Sequence, residues 1–525
     1  MYKHRSSGQR GVSPGIRAHS SEPHARSGTI TRTPSPLTTT SDGYLDRIGL
    51  ARRRSTLFDS EFFNIMSQSS QMGPVRSLAA QVMSTIISEH TQSAPAVSNE
   101  GEEYPFTGYF PLAQGAPDDL KTLYLETTSD FYGSRRWMEA ICSVRMPFLS
   151  HVSVICVFQD LEDGLLEDSS LTVYAKTKLL RMIQDSLRGS ATQTDDFTVL
   201  SILHLLTSEV GGFDEDAFDV HQAGLIRIVQ QRGGINNLGF NGDLASVVTS
   251  AMLCFTTLRG VEEPVILHDF IPIRTQPESI DHIAPLSPLY CPGGDMSPIF
   301  GTLSCSSETY EILYDMHELT RTFILRWSYT GDSYAARSPA ETASYDAYMQ
   351  QICTRAFLRP SQGGFQSKTD WIYESCRLAA LIYCQSLVQG VPLSESTSSP
   401  YTQTAGNELS PDTYLSQNSG YTVILALHNA IENTDKSAQW EELCGVFLWI
   451  TLVGAAASWQ TVSMAYGETD EMRTRKAWTR KCFALYSVKV SLVLGFEQPG
   501  AVVEAQRTML QVQRLANLKR GIRSQ

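Results

Sequence analysis

The chain has 525 residues, of which 42% are hydrophobic and 18% are charged, so it can bury a large core without disulfides or metals. It carries 42 Lys and Arg against 55 Asp and Glu, a formal net charge of -13. Because phosphate binding depends on Lys and Arg, this charge excludes a protein that holds nucleic acid or anionic lipid with its whole surface.

Positive charge is concentrated near the N-terminus. Residues 1–56 carry ten Lys or Arg against Glu22, Asp42 and Asp46, a net charge of +7, which leaves -20 for the rest. This segment is rich in Ser, Thr, Gly and Pro, and it cannot bury enough apolar surface to offset the entropy lost on ordering. We therefore predict a disordered basic tail over residues 1–56, short helices and a linker over 57–103, and one helical body over 104–525.

Three features bear on location, for which we expect the nucleus. The N-terminus has no apolar run of the signal-peptide type, so secretion is not expected. The ten cysteines begin only at Cys142 and form no C-x2-C pair, which is typical of reduced, buried thiols. Arg52, Arg53 and Arg54, beside Ser55, have the form of a nuclear import signal, and a simple solvated tail is the alternative.

Four helices are delimited by their own start and stop signals before residue 264. The first covers residues 178–187 and ends at Gly189. The second is capped by Thr194, has Asp195 and Asp196 in its first turn, and ends at Gly211 and Gly212. The third opens with the acidic residues 214–216 and ends at Gly233 and Gly234, and the fourth begins after Asn241 and ends at Gly260.

The remaining pattern is also helical. Residues 261–301 contain seven prolines and are predicted to form a long loop that could line a cleft. Further helices are predicted at residues 309–327, 371–388, 421–431, 440–463 and 472–495, with a Ser/Thr-rich linker at 393–419 and a polar C-terminal helix that ends at Lys519 and Arg520. No alternating pattern predicts a strand, so the fold class is all-α, a large multi-helix, bundle-like body.

One segment must be weighed as a membrane helix, because residues 443–467 carry no formal charge. Thr451, Ser458 and Gln460 reduce its strongly apolar part to about 16 residues, below the roughly 18–20 that a spanning helix needs. We therefore predict a buried central helix and no membrane contact, and we expect its Gly and Ala residues to let neighbouring helices approach closely.

Motifs for catalysis and metal binding are missing from the body, with no H-E-x-x-H pair, phosphate loop or G-x-G-x-x-G turn. A G-x-S-x-G string at residues 11–15 lies in the tail without the strand-turn-helix that exposes a nucleophile. The acidic residues 214–219 fit helix capping better than a cation site, and His204 and His221 fit structural roles. We expect the cations at 473–481 to form an exposed helix face. We predict no catalytic residue, no metal and no cofactor, hence not an enzyme.

Residues 221–239, HQAGLIRIVQQRGGINNLG, carry a family resemblance. They resemble the signature H-x-x-G-L-x-x-x-V-x-x-R-G-G of the fungal-specific transcription factor domain family. The matched positions are His221, Gly224, Leu225, Val229, Arg232, Gly233, Gly234, Ile235, Leu238 and Gly239. We expect Gly224 to permit close helix packing, Gly233 and Gly234 to form a left-handed stop, and Arg232 to place a charge at the helix C-terminus.

Residues 373–383, 446–456 and 475–483 agree with further helices of this family in order and rough spacing. The resemblance implies a helical, dimer-forming regulatory domain behind a binuclear zinc cluster that contacts DNA. Such a cluster needs six cysteine thiolates at short spacing, whereas the first 141 residues contain no cysteine. We therefore expect no direct sequence-specific DNA contact. Either the chain works through a DNA-binding transcription factor or co-regulator, or a zinc-cluster exon is missing from the gene model.

The resemblance thus predicts a nuclear transcriptional regulator of metabolic or secondary-metabolite genes, with a homodimer and a small-molecule effector as further implied partners. Two alternatives remain open. A helical metabolic enzyme would be favoured by two carboxylates and a cation converging in an apolar cavity. A membrane-tethered scaffold would be built around residues 443–467.

Overall fold

The computed structural model describes residues 73–92, 117–128, 135–212, 214–272, 284–328, 338–361, 369–396, 422–436, 440–459 and 469–523. The predicted tail over residues 1–56, with Arg52, Arg53 and Arg54, lies outside these ranges. Within them the fold is all-α, as predicted, and strand-like pairing is confined to one isolated bridge between Ser287 and Tyr290.

The α-helices follow one another along the whole described chain, and three short 3₁₀ turns, at Ile235–Asn237, Phe240–Gly242 and Val265–Leu267, join some of them. In chain order the helices are α1 (Pro74–Gln92), α2 (Pro117–Thr128), α3 (Arg135–Ser143), α4 (Arg145–Glu162), α5 (Ser170–Arg188), α6 (Asp196–Glu209), α7 (Glu215–Gln231), α8 (Asp243–Arg259), α9 (Ser297–Phe300), α10 (Ser307–Trp327), α11 (Pro339–Leu358), α12 (Trp371–Gln389), α13 (Leu393–Ser396), α14 (Thr422–Glu432), α15 (Cys444–Ser458), α16 (Asp470–Glu497) and α17 (Pro499–Arg523).

Most predicted helix ends coincide with observed caps. The carboxylate of Asp214 accepts the backbone N–H of Ala217 at the start of α7, which confirms the capping interpretation of the acidic run. Gly260 ends α8 in the left-handed region, with φ of 64°. The prediction for α6 was wrong by one residue, because Asp195 rather than Thr194 caps it and accepts the N–H of Thr198 at 2.6 Å.

Other helices differ more from the sequence prediction. The short helices α9 and α13 lie in segments predicted as a loop, 261–301, and as a linker, 393–419. Helix α5 begins at Ser170, eight residues earlier than predicted, because Ser169 caps it through the N–H of Thr172. Helix α11 was not predicted at all. It opens with a capping box between Ser338 and Glu341, but few of its residues are buried, so its apolar pattern is weak.

Helix α15 lies at the centre of the body. All residues from Gly445 to Ser458 are buried, and the helix contacts α8, α12, α14 and α16. This confirms the predicted buried central helix over Cys444–Ser458, whereas residues 460–467 lie outside the described chain. Its glycines are needed for close packing, because a Cβ on Gly454 would overlap the ring of Phe483 and one on Gly445 would overlap the carbonyl of Pro285.

In the part of the chain described, no single helix is both long and apolar enough to cross a membrane. One bent pair, Trp137–Ser143 with Arg145–Glu162, meets the length and composition criteria jointly, with 115° between its two helices.

Helix α1 packs on α4 and joins the same core as the body. Its buried residues include Leu78, Val82 and Ile86. Arg76 forms ion pairs with Asp160 and Asp163, at 2.5 and 2.9 Å. Asp160 is fully buried, and it also accepts hydrogen bonds from the backbone N–H of Ser169 and the hydroxyl of Thr172. Arg76 lies in the region predicted as short helices and a linker, and it pairs with the buried carboxylate of Asp160 on α4.

The two helical glycines Gly454 and Gly224 provide a matched test of the packing. We expect Gly454→Ala to lower the free energy of unfolding by about 1–3 kcal/mol or more, because the new methyl group overlaps Phe483. Gly224→Ala should raise it by roughly 0.5–1 kcal/mol, since nothing lies within 4 Å of the added Cβ and Ala favours the helix. Urea unfolding followed by circular dichroism measures both, and equal effects of the two variants would contradict the central packing.

Candidate functional site

The residues of the family signature form the turn between α7 and α8. Leu225 and Val229 are buried in the core, as their positions predict. Gly233 and Gly234 have φ of 88° and 112°, which confirms the expected left-handed stop. At Gly234 the ψ angle is 174°, a combination that is essentially open to glycine alone.

Arg232 makes more contacts than the expected charge at a helix end. Its guanidinium donates to the carbonyl of Thr194 at 2.7 Å and to that of Asn237 at 3.1 Å, and it pairs with Asp196 at 2.9 Å. The N–H of Gly239 donates to the same Asp196 carboxylate at 3.1 Å. The C-terminal end of α7 is therefore tied to the N-terminal end of α6 through Asp196.

Two other signature residues have modest roles. His221 bonds to Glu209 at 2.8 Å, in agreement with the structural role predicted for it. The expectation that Gly224 permits close helix packing was wrong, because a Cβ there would meet no atom within 4 Å. The signature residues thus build a packed corner rather than an open binding surface.

The expected exposed face of cations at residues 473–481 is only partly correct. Arg473 and Arg475 are exposed and pair with Asp470 and Glu471. Arg480, by contrast, is buried, donates to Glu215 at 2.7 Å, and lies 3.7 Å from the centroid of the Trp459 ring. The hydrogen bond to Glu215, which is distant in sequence, therefore holds the guanidinium of Arg480 in the interior.

Lys481 is buried as well. Its ammonium donates to the carbonyls of Leu165 and Leu166 at 2.9 and 3.0 Å. Burial lowers the pKa of Lys481, and the nearby carboxylates of Asp168 and Asp160 oppose that shift. No group of three or more His, Cys, Asp or Glu within the described ranges could hold a metal ion.

Two buried histidines lie close together in the core between α4 and α6. The hydroxyl of Tyr124 is 2.7 Å from Nδ1 of His151, and that of Ser150 is 2.7 Å from Nδ1 of His204. Burial lowers the pKa of both imidazoles, that of His204 to about 3. Both are therefore neutral near pH 7, far from the pKa that suits a general base.

A cavity of about 330 Å³ lies where α10, α11, α12 and α17 meet. This volume is at the small end of the range for ligand sites. The cavity combines aliphatic side chains with four charged or polar ones and one indole. It is lined by Leu319, Arg326, Trp327, Asp346, Met349, Gln350, Leu387, Val388 and Lys519.

Trp327 is the last residue of α10, and 9% of its surface is exposed. Its indole N–H is buried and has no acceptor among the described residues. A buried donor without an acceptor costs about 1–3 kcal/mol. Because this nitrogen is buried, the N–H is covered by surrounding atoms and is not open to the space of the cavity.

Two cations flank this indole. The guanidinium of Arg326 lies 4.4 Å from the ring centroid, and it pairs with Asp346 at 3.2 Å. The ammonium of Lys519 lies 5.6 Å from the same centroid. It also donates to the carbonyls of Leu387 and Val388 at 2.7 and 2.8 Å, at the C-terminal end of α12, where cations are favoured. Lys519 thus joins α17 to α10 and α12.

The composition of the wall constrains the chemistry. Its one carboxylate, Asp346, already pairs with Arg326, so this cavity does not contain the two converging carboxylates that would favour the helical-enzyme alternative. We predicted that residues 261–301 could line a cleft. None of the residues that line this cavity belongs to that segment. The carbonyl of Pro285 packs against Gly445 of the central helix instead.

Sequence reasoning identified none of the cavity residues as a site. Arg326, Asp346 and Lys519 belong to three different helices, and Lys519 is far in sequence from the other two, so no local spacing could reveal them. The only sequence signals were an Arg-Trp pair at a predicted helix end and a lysine in a polar C-terminal helix.

Comparison with known proteins adds no relative, since no family model, no curated protein and no solved structure matches the chain.

The histidine pair predicts a dependence of stability on pH. Because folding lowers the pKa of His204 from 6.5 to about 3, the unfolded chain binds a proton between these values that the folded chain does not. Stability should therefore fall as pH drops below about 6.5, by up to ~1.4 kcal/mol per pH unit for each histidine. Urea unfolding of His204→Gln should show a shallower pH dependence than the unmodified chain. Identical slopes in the two proteins would contradict the assignment.

Lys519 and its neighbour Arg520 allow a second test. We expect Lys519→Met to lower the free energy of unfolding by about 1–3 kcal/mol, because two helix-end carbonyls lose their donor. Arg520→Met should cost no more than about 1 kcal/mol, since its ion pair with Glu395 is exposed to solvent. Denaturant midpoints of the two variants measure the difference, and a costlier Arg520 variant would refute the capping role of Lys519.

Proposed function

We propose that this chain, whose sequence contains no zinc-cluster motif, is a transcriptional regulator of fungal type that acts in the nucleus through a DNA-binding partner or co-regulator. The observation that carries the proposal is the resemblance of residues 221–239 to the signature of the fungal-specific transcription factor domain family. In support, four residues of this signature lie in one corner between α6, α7 and α8. They are Arg232, Gly233, Gly234 and Gly239.

The charge distribution supports recruitment by a partner. The chain outside residues 1–56 has a net charge of -20, which disfavours direct contact with phosphates. The six thiolates of a binuclear cluster have no counterpart in the first 141 residues. Arg52, Arg53 and Arg54 would supply nuclear import, and the regulated genes would be metabolic or secondary-metabolite genes.

A regulator of this kind would control transcription through the state of its helical body. A homodimer is one partner that the resemblance implies, and a small-molecule effector is a further partner that we propose. The cavity beside Trp327 and Lys519 is a concave site of suitable size for such an effector. No catalytic residue takes part in this mechanism.

The test is chromatin immunoprecipitation of the tagged full chain from fungal cells, paired with binding of the purified protein to naked DNA. We expect enrichment at discrete chromatin sites. In vitro we expect only weak binding without sequence preference, which disappears as salt is raised from low to physiological concentration. Sequence-specific binding by the purified chain would contradict action through a partner.

A variant with Arg52, Arg53 and Arg54 all changed to Ala should lose most of its nuclear fraction. The control is a variant with Arg473 and Arg475 changed to Ala, which removes exposed cations from the helical body and should leave localisation unchanged. Absence of the unmodified chain from both nucleus and chromatin would refute the regulator hypothesis and favour the helical enzyme.

A further inference from the structure

Helix α1 packs on the body as a separate amphipathic helix, and its main contacts are with α4 and α2. Residues 93–116 separate it from α2 in the chain and include three prolines and three glycines. A connection of this length constrains its two ends only weakly, because the entropic cost of closing a loop grows slowly with loop length. The position of α1 therefore depends on the contacts it makes with the body.

The apolar side of α1 is buried against α4 and α2. Its buried residues recur every four positions along one side of the helix, with further small or apolar residues beside them. Among the described side chains of α1 they are Leu78, Ala79, Ala80, Val82, Met83 and Ile86. This is the arrangement in which an amphipathic helix binds a hydrophobic groove, and we call the surface under α1 the α1 groove.

Arg76 fixes the register of α1 on this groove. It pairs with Asp160 and Asp163, and its side chain is only 14% exposed while that of Asp160 is fully buried. A charge-assisted hydrogen bond is strong in such a shielded place. Asp160 also accepts the N–H of Ser169 and the hydroxyl of Thr172, and neither bond depends on α1. The groove thus stays partly satisfied without α1 and offers a carboxylate to another helix that carries a cation.

We propose that the α1 groove is a helix-binding surface that a partner protein can also occupy. Its ligand is an amphipathic helix with an arginine in the first turn and apolar residues two, six and ten positions later, the spacing that α1 has. Helix α1 is the resident occupant, and the partner helix displaces it. Because α1 is tethered, its effective concentration at the groove is roughly millimolar, so the partner helix must bind more tightly than α1. This inference does not depend on the proposed function, because it rests on the contacts of α1 alone.

The test uses the purified full chain and a fluorescent peptide of residues 73–92 as the probe for a partner helix. Val82→Asp in the full chain should release α1, because it places a carboxylate at a fully buried position. In fluorescence anisotropy we expect the peptide to bind this variant at least ~10-fold more tightly than the unmodified chain, whose groove holds its own α1.

The control chain carries Gln81→Asp, which adds the same charge at the neighbouring, only partly buried position of α1. It should bind the peptide as weakly as the unmodified chain does. Equal binding by all three chains, or binding by none of them, would overturn the proposal.

The contact of Arg76 is tested in the peptide. A peptide with Arg76→Ala should bind the Val82→Asp chain roughly 10-fold or more weakly, since it loses a hydrogen bond to a buried carboxylate. A peptide with Gln81→Ala is the control and should bind like the original. Unchanged binding of the Arg76→Ala peptide would refute the recognition of an arginine by Asp160.

Native-state hydrogen exchange of the unmodified chain decides the matter if the Val82→Asp chain fails to fold. We expect the amides of α1 to exchange through an opening that leaves α4 protected, whereas joint exchange of α1 and α4 would show that α1 is not separable and would overturn the proposal. A dimer of the unmodified chain that Val82→Asp dissociates in sedimentation velocity would place the α1 of a second copy in the groove and overturn the assignment to a partner protein. Chromatin association does not enter these tests, so the two proposals fail independently.

Discussion

The burial of α15 on every side is the constraint on which the rest of the fold depends. A helix without a polar face must be surrounded, and α8, α12, α14 and α16 contact it. Gly454 brings the ring of Phe483 into direct contact with the α15 backbone, and Gly445 does the same for the loop at Pro285. The surrounding helices must in turn be largely apolar. Helix α12 is buried along almost its whole length.

Such a core leaves few places for charge, and each buried charge is held by a defined partner. Glu374 and Arg377 lie one turn apart on α12 and pair at 2.7 Å, with almost no exposure. Lys481 and Lys519 donate instead to backbone carbonyls, the latter at a helix end where the macrodipole is negative. Removing one partner would leave the other buried and unsatisfied. The two lysine contacts also join distant segments of the chain, whereas the pair of Glu374 and Arg377 lies within one helix.

Local signals predicted much of this architecture because they act within one helical turn. The cap at Asp214 and the stop at Gly260 depend only on neighbouring backbone, and the structure has them where the sequence indicates. Contacts between distant segments could not be predicted in this way. Arg480 reaches Glu215, 265 positions away, and was expected on the surface. The cavity is a stronger case, since its walls come from four helices and no segment of the sequence encodes it alone.

Helix α17 connects the cavity to the corner that carries the family resemblance. Its Lys519 forms part of the cavity wall, and further along the helix Gln506 and Gln513 donate to the carbonyls of Ser250 and Thr257 on α8. Helix α8 in turn follows the signature corner and contacts both of its 3₁₀ turns. A ligand that moved Lys519 would therefore act on α8 through hydrogen bonds to its backbone. These contacts would transmit an effect of the ligand only where α17 can take two discrete positions and the ligand binds one of them more tightly than the other. The corner at Arg232 would then sense the occupancy of the cavity without touching the ligand.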